Sequence, residues 1–63
     1  MSEGQQSYFI EFVVIENQVK VTAIDPQTGE EAVVICPANT RRKDMSDLAI
    51  KKLLYIQKKK GHC

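Results

Sequence analysis

The feature that most constrains the fold is a run of strand-forming residues from Tyr8 to Ile15, whose apolar side chains occupy both alternating sets of positions. Successive side chains of a strand point to opposite faces of its sheet, so this segment places apolar groups on both faces. One helix covers only one face of a sheet. In a chain of 63 residues, the run therefore predicts apolar surface left over for a partner.

The chain is expected to form one domain of the α+β class, a three-stranded antiparallel β-meander followed by one C-terminal α-helix. Its parts are a flexible N-terminus, the meander, the helix and a frayed tail, expected at residues 1–7, 8–36, 40–60 and 61–63. The polar start lacks the basic, apolar pattern of a signal peptide, and no apolar run is long enough to span a bilayer. A cytoplasmic protein without membrane contact is therefore expected.

Two turns are expected to connect the strands. Asn17-Gln18 is predicted to join the first two, because Asn tolerates the left-handed backbone conformation of tight turns, and it would place Val14 opposite Val21. The strongest turn signal is Asp25–Gly29, in which Pro presets φ and Gly supplies a positive φ. This second turn would place Val21 opposite Val34, with Pro37 ending the third strand.

These pairings predict which side chains share a face. One sheet face is wholly apolar and is expected to carry the helix: Ile10, Phe12, Val14, Val19, Val21, Ala23, Ala32, Val34 and Cys36. The opposite face exposes a second apolar set among a few charged groups: Phe9, Val13, Ile15, Ile24, Val33 and Ile35. A solvated sheet face is normally mostly polar, so the second set indicates a contact surface.

The helix is expected to begin near Asn39 or Thr40, which are good N-caps, and to end at three lysines before Gly61. Its inner side is predicted from the helical period to contain Met45, Leu48, Ala49, Lys52, Leu53, Tyr55 and Ile56. Ile50 and Leu54 are predicted to lie on the opposite side, where a monomer would leave them in water.

The surplus apolar residues predict self-association as a homodimer, with an unidentified protein as a further possible partner. The hypothetical interface consists of Phe9, Val13, Ile15, Val33, Ile35, Ile50 and Leu54. In a meander the strand at 8–15 lies at a sheet edge, and a long apolar edge invites pairing with another chain. Strand edge, sheet back and helix back all remain candidate contacts.

The charge is divided unevenly along the chain, which suggests an alternative partner. Residues 1–31 carry six acids and one lysine, whereas residues 32–63 carry eight bases and two acids. The basic half could face phosphates, with contacts from Arg41, Arg42, Lys51, Lys52, Lys58 and Lys59. An acidic partner surface or simple solvation explains the same charges, because no nucleic-acid recognition motif is present.

No catalytic, cofactor-binding or metal-binding residues are predicted. His62 and Cys63 adjoin at the tail, but a zinc site needs three or four ligands on an ordered frame. Cys36 is expected to act as a small apolar group in the core. The glycines are isolated, so no phosphate-binding loop is expected. The protein is therefore not expected to be an enzyme.

The pattern of elements resembles a family of very small uncharacterised bacterial proteins, of alphaproteobacterial origin. The similar segments are Val19–Gly29, Cys36-Pro37-Ala38 and Leu48–Leu53, spread over nearly the whole chain. The resemblance implies an autonomous intracellular domain and supplies no activity or site residue. The expected function is thus a small non-catalytic interaction or regulatory module acting as a homodimer, with nucleic-acid binding by the basic helix as the alternative.

Overall fold

The computed structural model describes residues 8–61. Three strands precede one helix: β1 Phe9–Ile15, β2 Gln18–Ile24, β3 Glu31–Pro37 and α1 Arg42–Gly61. The strands form one antiparallel sheet in the order β1-β2-β3, which leaves β1 and β3 at its edges. The predicted meander with a C-terminal helix is therefore confirmed. The predicted flexible N-terminus, residues 1–7, and positions 62–63 of the predicted tail lie outside the described residues.

The turn between β1 and β2 differs from the prediction. It consists of residues 16–17, one position before Asn17-Gln18, so Val14 lies opposite Val19, two positions from its predicted partner. Glu16 adopts a φ of 56°, in the left-handed region that non-glycine residues seldom occupy. The prediction was wrong because it followed the preference of Asn for that conformation. A two-residue shift keeps every side chain on its predicted face.

The turn between β2 and β3 forms as predicted. The Asp25 amide donates to the Glu30 carbonyl at 2.9 Å, and the Gly29 amide donates to the Asp25 carbonyl at 2.7 Å. Gly29 has a φ of 78°, which only glycine adopts without strain. The predicted pairing of Val21 with Val34 follows and is confirmed.

The core lies between α1 and the strands β2 and β3, on which the helix mainly packs. Its buried apolar residues are Val19, Val21, Ala23, Ala32, Cys36, Met45, Ala49 and Leu53. The inner sheet face was therefore predicted correctly over β2 and β3. At β1 the prediction fails for Val14, which is 70% exposed, whereas Ile10 and Phe12 are half-buried against the core as expected. A helix about 10 Å wide spans two strands spaced about 4.8 Å apart and covers the third only in part.

The helix is rotated relative to the predicted orientation. Met45, Ala49 and Leu53 form its buried stripe, whereas Leu48 and Tyr55, predicted to face the sheet, are exposed. Ile50, predicted to face outward, is half-buried against the core. The helix α1 lies near the β3 edge of the sheet. The side of α1 with Leu48 and Tyr55 therefore extends beyond that edge into solvent, and the side with Ile50 faces β1.

The helix also begins later than predicted. The Met45 amide donates to the Arg41 carbonyl at 3.0 Å, which places Arg41 at the N-cap position instead of Asn39 or Thr40. The Thr40 amide is used in a turn that donates to the Pro37 carbonyl at 3.0 Å. The helix therefore begins with a cationic residue at the positive end of its dipole.

Candidate interaction surface

The sheet face opposite α1, here called the outer face, is covered by no element within residues 8–61. Phe9 is 61% exposed there, and Val13, Ile15 and Ile35 are also exposed. Val33 is half-buried on the same face. Five of the seven predicted interface residues are thus brought together on one surface, in agreement with the predicted alternation of side chains.

The two helical members of the predicted interface lie elsewhere. Ile50 is half-buried against the core and Leu54 is 48% exposed, and α1 is on the other side of the sheet from the outer face. The structure therefore separates the predicted set into two surfaces. Ile50 contributes to the fold of one copy, and Leu54 remains available for contact.

Strand β1 has exposed side chains on both faces, although Ile10 and Phe12 are half-buried against the core. Phe9, Val13 and Ile15 project from the outer face, and Val14 projects from the inner face beyond the reach of α1. Val14 is the residue that sequence reasoning missed, since its alternation with Phe12 assigned it to the core. The available signal was the width of a helix, which covers two strands of a three-stranded sheet but not all three.

A shallow groove lies between β1 and the start of α1. Its volume is about 210 Å³, and its lining residues are Phe12, Val14, Val19, Ala38, Thr40, Arg42 and Met45. The Arg42 guanidinium carbon lies 4.8 Å from the centroid of the Phe12 ring, which is a cation–π contact. Arg42 is the one charged residue of the lining, so the groove holds no pair of acid and base side chains.

The two edges of the sheet differ in their chemistry. At the β3 edge, the Lys52 ammonium donates a hydrogen bond to the Val33 carbonyl at 2.8 Å. At the β1 edge, no segment of residues 8–61 lies alongside the strand. Exposed edge groups are a template for pairing with another chain, and an edge lysine blocks that pairing. Only the β1 edge is therefore left open in the described part of the chain.

The basic residues of the predicted nucleic-acid surface do not form one stripe. Lys52 bonds to β3, Arg42 lies over Phe12, and the Lys59 ammonium lies 5.7 Å from the Tyr55 ring centroid. Lys51 and Lys58 are exposed seven residues apart and therefore share the solvent side of α1. Three of the six predicted contact residues are thus already engaged within the chain.

Asp25 has a shifted pKa and a structural role. The Gln57 amide nitrogen donates to the Asp25 carboxylate at 2.8 Å, and the Gln27 backbone amide donates to it at 2.9 Å. These bonds, the Gln57 bond first, hold the pKa of Asp25 below its ordinary value. They connect the end of α1 to the second turn.

Groups associated with chemistry are sparse in the described residues. Within residues 8–61, no three His, Cys, Asp or Glu side chains lie close enough to hold a metal ion. Cys36 is buried, as predicted, with a free thiol. The predicted tail residues His62 and Cys63 lie outside the described residues. The helix among residues 8–61 is not apolar enough along its length to cross a membrane.

The chain belongs to a family described as a domain of unknown function (DUF6898), whose profile matches residues 5–60. No curated protein and no solved structure matches it. The resemblance to a family without an assigned activity is confirmed to this extent, and the bacterial origin that it implies stays a prediction.

Proposed function

We propose that the protein is a small non-catalytic interaction module that acts as a homodimer in the cytoplasm and regulates by binding. The observation that carries the proposal is the uncovered outer face, on which Phe9, Val13, Ile15 and Ile35 are all exposed. Lys20 lies between Val13 and Ile35 across the strands, and Glu11 lies between Phe9 and Val13 along β1, so charged groups separate the apolar ones. A surface of this kind in so small a domain favours a partner over solvent.

The composition of the surface supports a protein partner. Full burial of a Val, Ile or Phe side chain contributes about 1.5–3 kcal/mol. Four side chains that are already about half covered supply roughly 3–6 kcal/mol per copy, or roughly 6–12 kcal/mol for a homodimer that buries both sets. Association itself costs about 4–15 kcal/mol in lost freedom. The two terms are of similar size, so apolar contact on the outer face alone does not ensure a stable homodimer, and additional contacts are needed.

The arrangement of charges favours this proposal over the alternative of nucleic-acid binding. A phosphate-tracking surface needs several free cations along one line. Lys52, Arg42 and Lys59 already contact groups of their own chain. Of the three that remain, Arg41 lies at the start of α1, and Lys51 and Lys58 are the pair that share one side of the helix. Two cations give a shallow salt dependence and weak binding to any phosphate backbone.

The test is the molar mass by multi-angle light scattering over a dilution series. We expect twice the chain mass of 7.1 kDa at high concentration and a decrease toward the chain mass on dilution. The double substitution Val13→Glu with Ile15→Glu should lower the mass to that of one chain, because it adds charge to the apolar face and like charges beside Glu11. The matched control is Leu48→Lys, an exposed helical position outside the predicted surface.

A mass of one chain at every concentration would contradict the proposal. The same samples, mixed with a generic single-stranded RNA at low salt, test the alternative. Binding that disappears at moderate salt and requires Lys51 and Lys58 would favour nucleic-acid recognition instead.

A further inference from the structure

The edge of β1 has a defined set of backbone groups that bond to no other residue within 8–61. The amide-to-carbonyl bonds from Asp25 to Glu30 and from Ala38 to Asn17 show that odd-numbered residues of β2 turn their backbone groups toward β3. In an antiparallel ladder these directions alternate along each strand, so even-numbered residues of β2 bond to β1. By the observed register, their partners in β1 are the odd-numbered residues.

The even-numbered residues of β1 therefore direct their N–H and C=O groups away from the sheet. These residues are Ile10, Phe12 and Val14. The same alternation explains why the Val33 carbonyl faces outward on β3, where Lys52 bonds to it. No described side chain donates a hydrogen bond to the outward-facing carbonyls of β1 as Lys52 does on β3. A second strand can approach because α1 does not overhang β1, as the exposure of Val14 shows.

We propose that β1 pairs antiparallel with β1 of a second copy, which joins the two sheets into one of six strands. This inference rests on the proposed homodimer and places its contact at the β1 edge, where Phe9, Val13 and Ile15 meet the same strand of the partner and Ile35 on β3 stays outside the contact. The two-fold axis passes at Phe12, the middle of the strand, because this register pairs all seven residues of β1. Ile10 then exchanges backbone hydrogen bonds with the partner's Val14, and about six such bonds cross the interface.

The side chains of β1 are complementary to their own copy in this register. On the outer face, Phe9 lies opposite the partner's Ile15, and Glu11 lies opposite the partner's Val13. Neither pair places like charges directly opposite each other across the ladder. Moving the axis to Glu11 would place the two Glu11 side chains opposite each other, which disfavours that alternative.

The charges of the outer face also match. Val13 pairs with Lys20 within each chain, so the row that contains Glu11 continues through the partner's Val13 to the partner's Lys20. Two strand spacings, about 10 Å, separate the Glu11 and Lys20 backbones in that row, a distance that a glutamate and a lysine side chain can bridge together. Each copy contributes one glutamate and one lysine, so the charges in these two rows of the outer face balance across the pair.

Amide exchange of the unmodified protein tests the pairing directly. We expect the amides of Ile10, Phe12 and Val14 to exchange at least ~10-fold more slowly at millimolar than at micromolar concentration, because only the pair protects them. The amides of Glu11 and Val13 bond to β2 within one chain, so their protection should change far less. Residue-resolved NMR exchange measurements report all five positions in one experiment.

Two substitutions separate the edge from the outer face. Val14→Pro removes an outward-facing N–H without removing a bond to β2, so it should yield a folded chain of monomeric mass. Ile35→Lys changes the outer face far from the β1 edge and should leave the dimer intact. The fold of each variant is verified by NMR spectra that retain the backbone amide signals of all three strands.

The outcomes distinguish the two proposals. A concentration-dependent dimer whose Ile10, Phe12 and Val14 amides are unprotected would overturn the edge pairing and leave the homodimer standing. Protection of these amides that is independent of concentration would also overturn it, since the strand would then be covered within one chain. Monomeric mass throughout would remove both proposals.

Discussion

Truncation of Leu53 to alanine is expected to remove most of the stability of the fold. Leu53 is fully buried (0% exposed) and lies in the stripe of α1 that packs on the sheet. Leu→Ala at such sites costs about 2.7–5 kcal/mol, because the lost transfer energy is added to the energy of the cavity that remains. A domain of 63 residues has a total stability of about 3–9 kcal/mol at 0.05–0.15 kcal/mol per residue.

The matched control is Leu48→Ala, which deletes the same atoms from the same helix. Leu48 is 48% exposed, so about half of its transfer energy is at stake and the expected loss is ~1 kcal/mol. Small differences in helix propensity between Leu and Ala cancel between the two variants. The comparison therefore isolates the burial of the side chain.

The assay is urea denaturation followed by circular dichroism, at a concentration where the chain is monomeric. We expect the unfolding free energy to decrease by about 3–4 kcal/mol for Leu53→Ala, enough to leave the chain partly unfolded without denaturant. Equal losses for the two variants, or a larger loss for Leu48→Ala, would refute the orientation of α1 described above. Such a result would restore the orientation predicted from the helical period.

Three further perturbations test local features. Arg41→Asp should raise the unfolding free energy by about 1 kcal/mol, because it places a capping acid at the helix start. Thermal denaturation measures the effect, with Arg41→Ala as the control. No gain in stability would contradict the assigned helix start. Glu16→Asn should stabilise the first hairpin by about 0.5–1 kcal/mol in urea titrations, since Asn tolerates a φ of 56°; a loss would exclude the left-handed turn. The lowered pKa of Asp25 contributes stability above the ordinary pKa of an aspartate, and this contribution disappears as the pH falls through the folded-state pKa. Unfolding measured between pH 6 and pH 2 (roughly the acid range where carboxylates protonate) should therefore be less pH-dependent in Asp25→Asn, and identical pH profiles would contradict that role.

Local patterns were sufficient to predict most of the fold. The alternation of Val19, Val21 and Ala23 identified the inner face of β2, and the turn at Asp25–Gly29 set the register of β3. The first turn was missed because Glu16 adopts a conformation that its side chain disfavours. The register between two strands can therefore be predicted from the sequence where the turn residues follow their conformational preferences. It is ambiguous where they do not.

The outer face was predictable for the same reason, since Phe9, Val13 and Ile15 follow strand alternation. The exposure of Val14 and the burial of Ile50 were not predictable from periodicity. Both depend on the lateral position of α1 over the sheet, a tertiary property that no local pattern encodes. The bond from Lys52 to the Val33 carbonyl is part of that displaced arrangement.

The lysine at the β3 edge also determines how large an assembly can become. A sheet that is open on both sides can add copies indefinitely, as fibrils do. Here Lys52 bonds to the Val33 carbonyl, which obstructs the approach of another strand at the β3 edge. In the proposed pair both borders of the six-stranded sheet are β3 edges that carry this lysine. We therefore expect the assembly to stop at two copies.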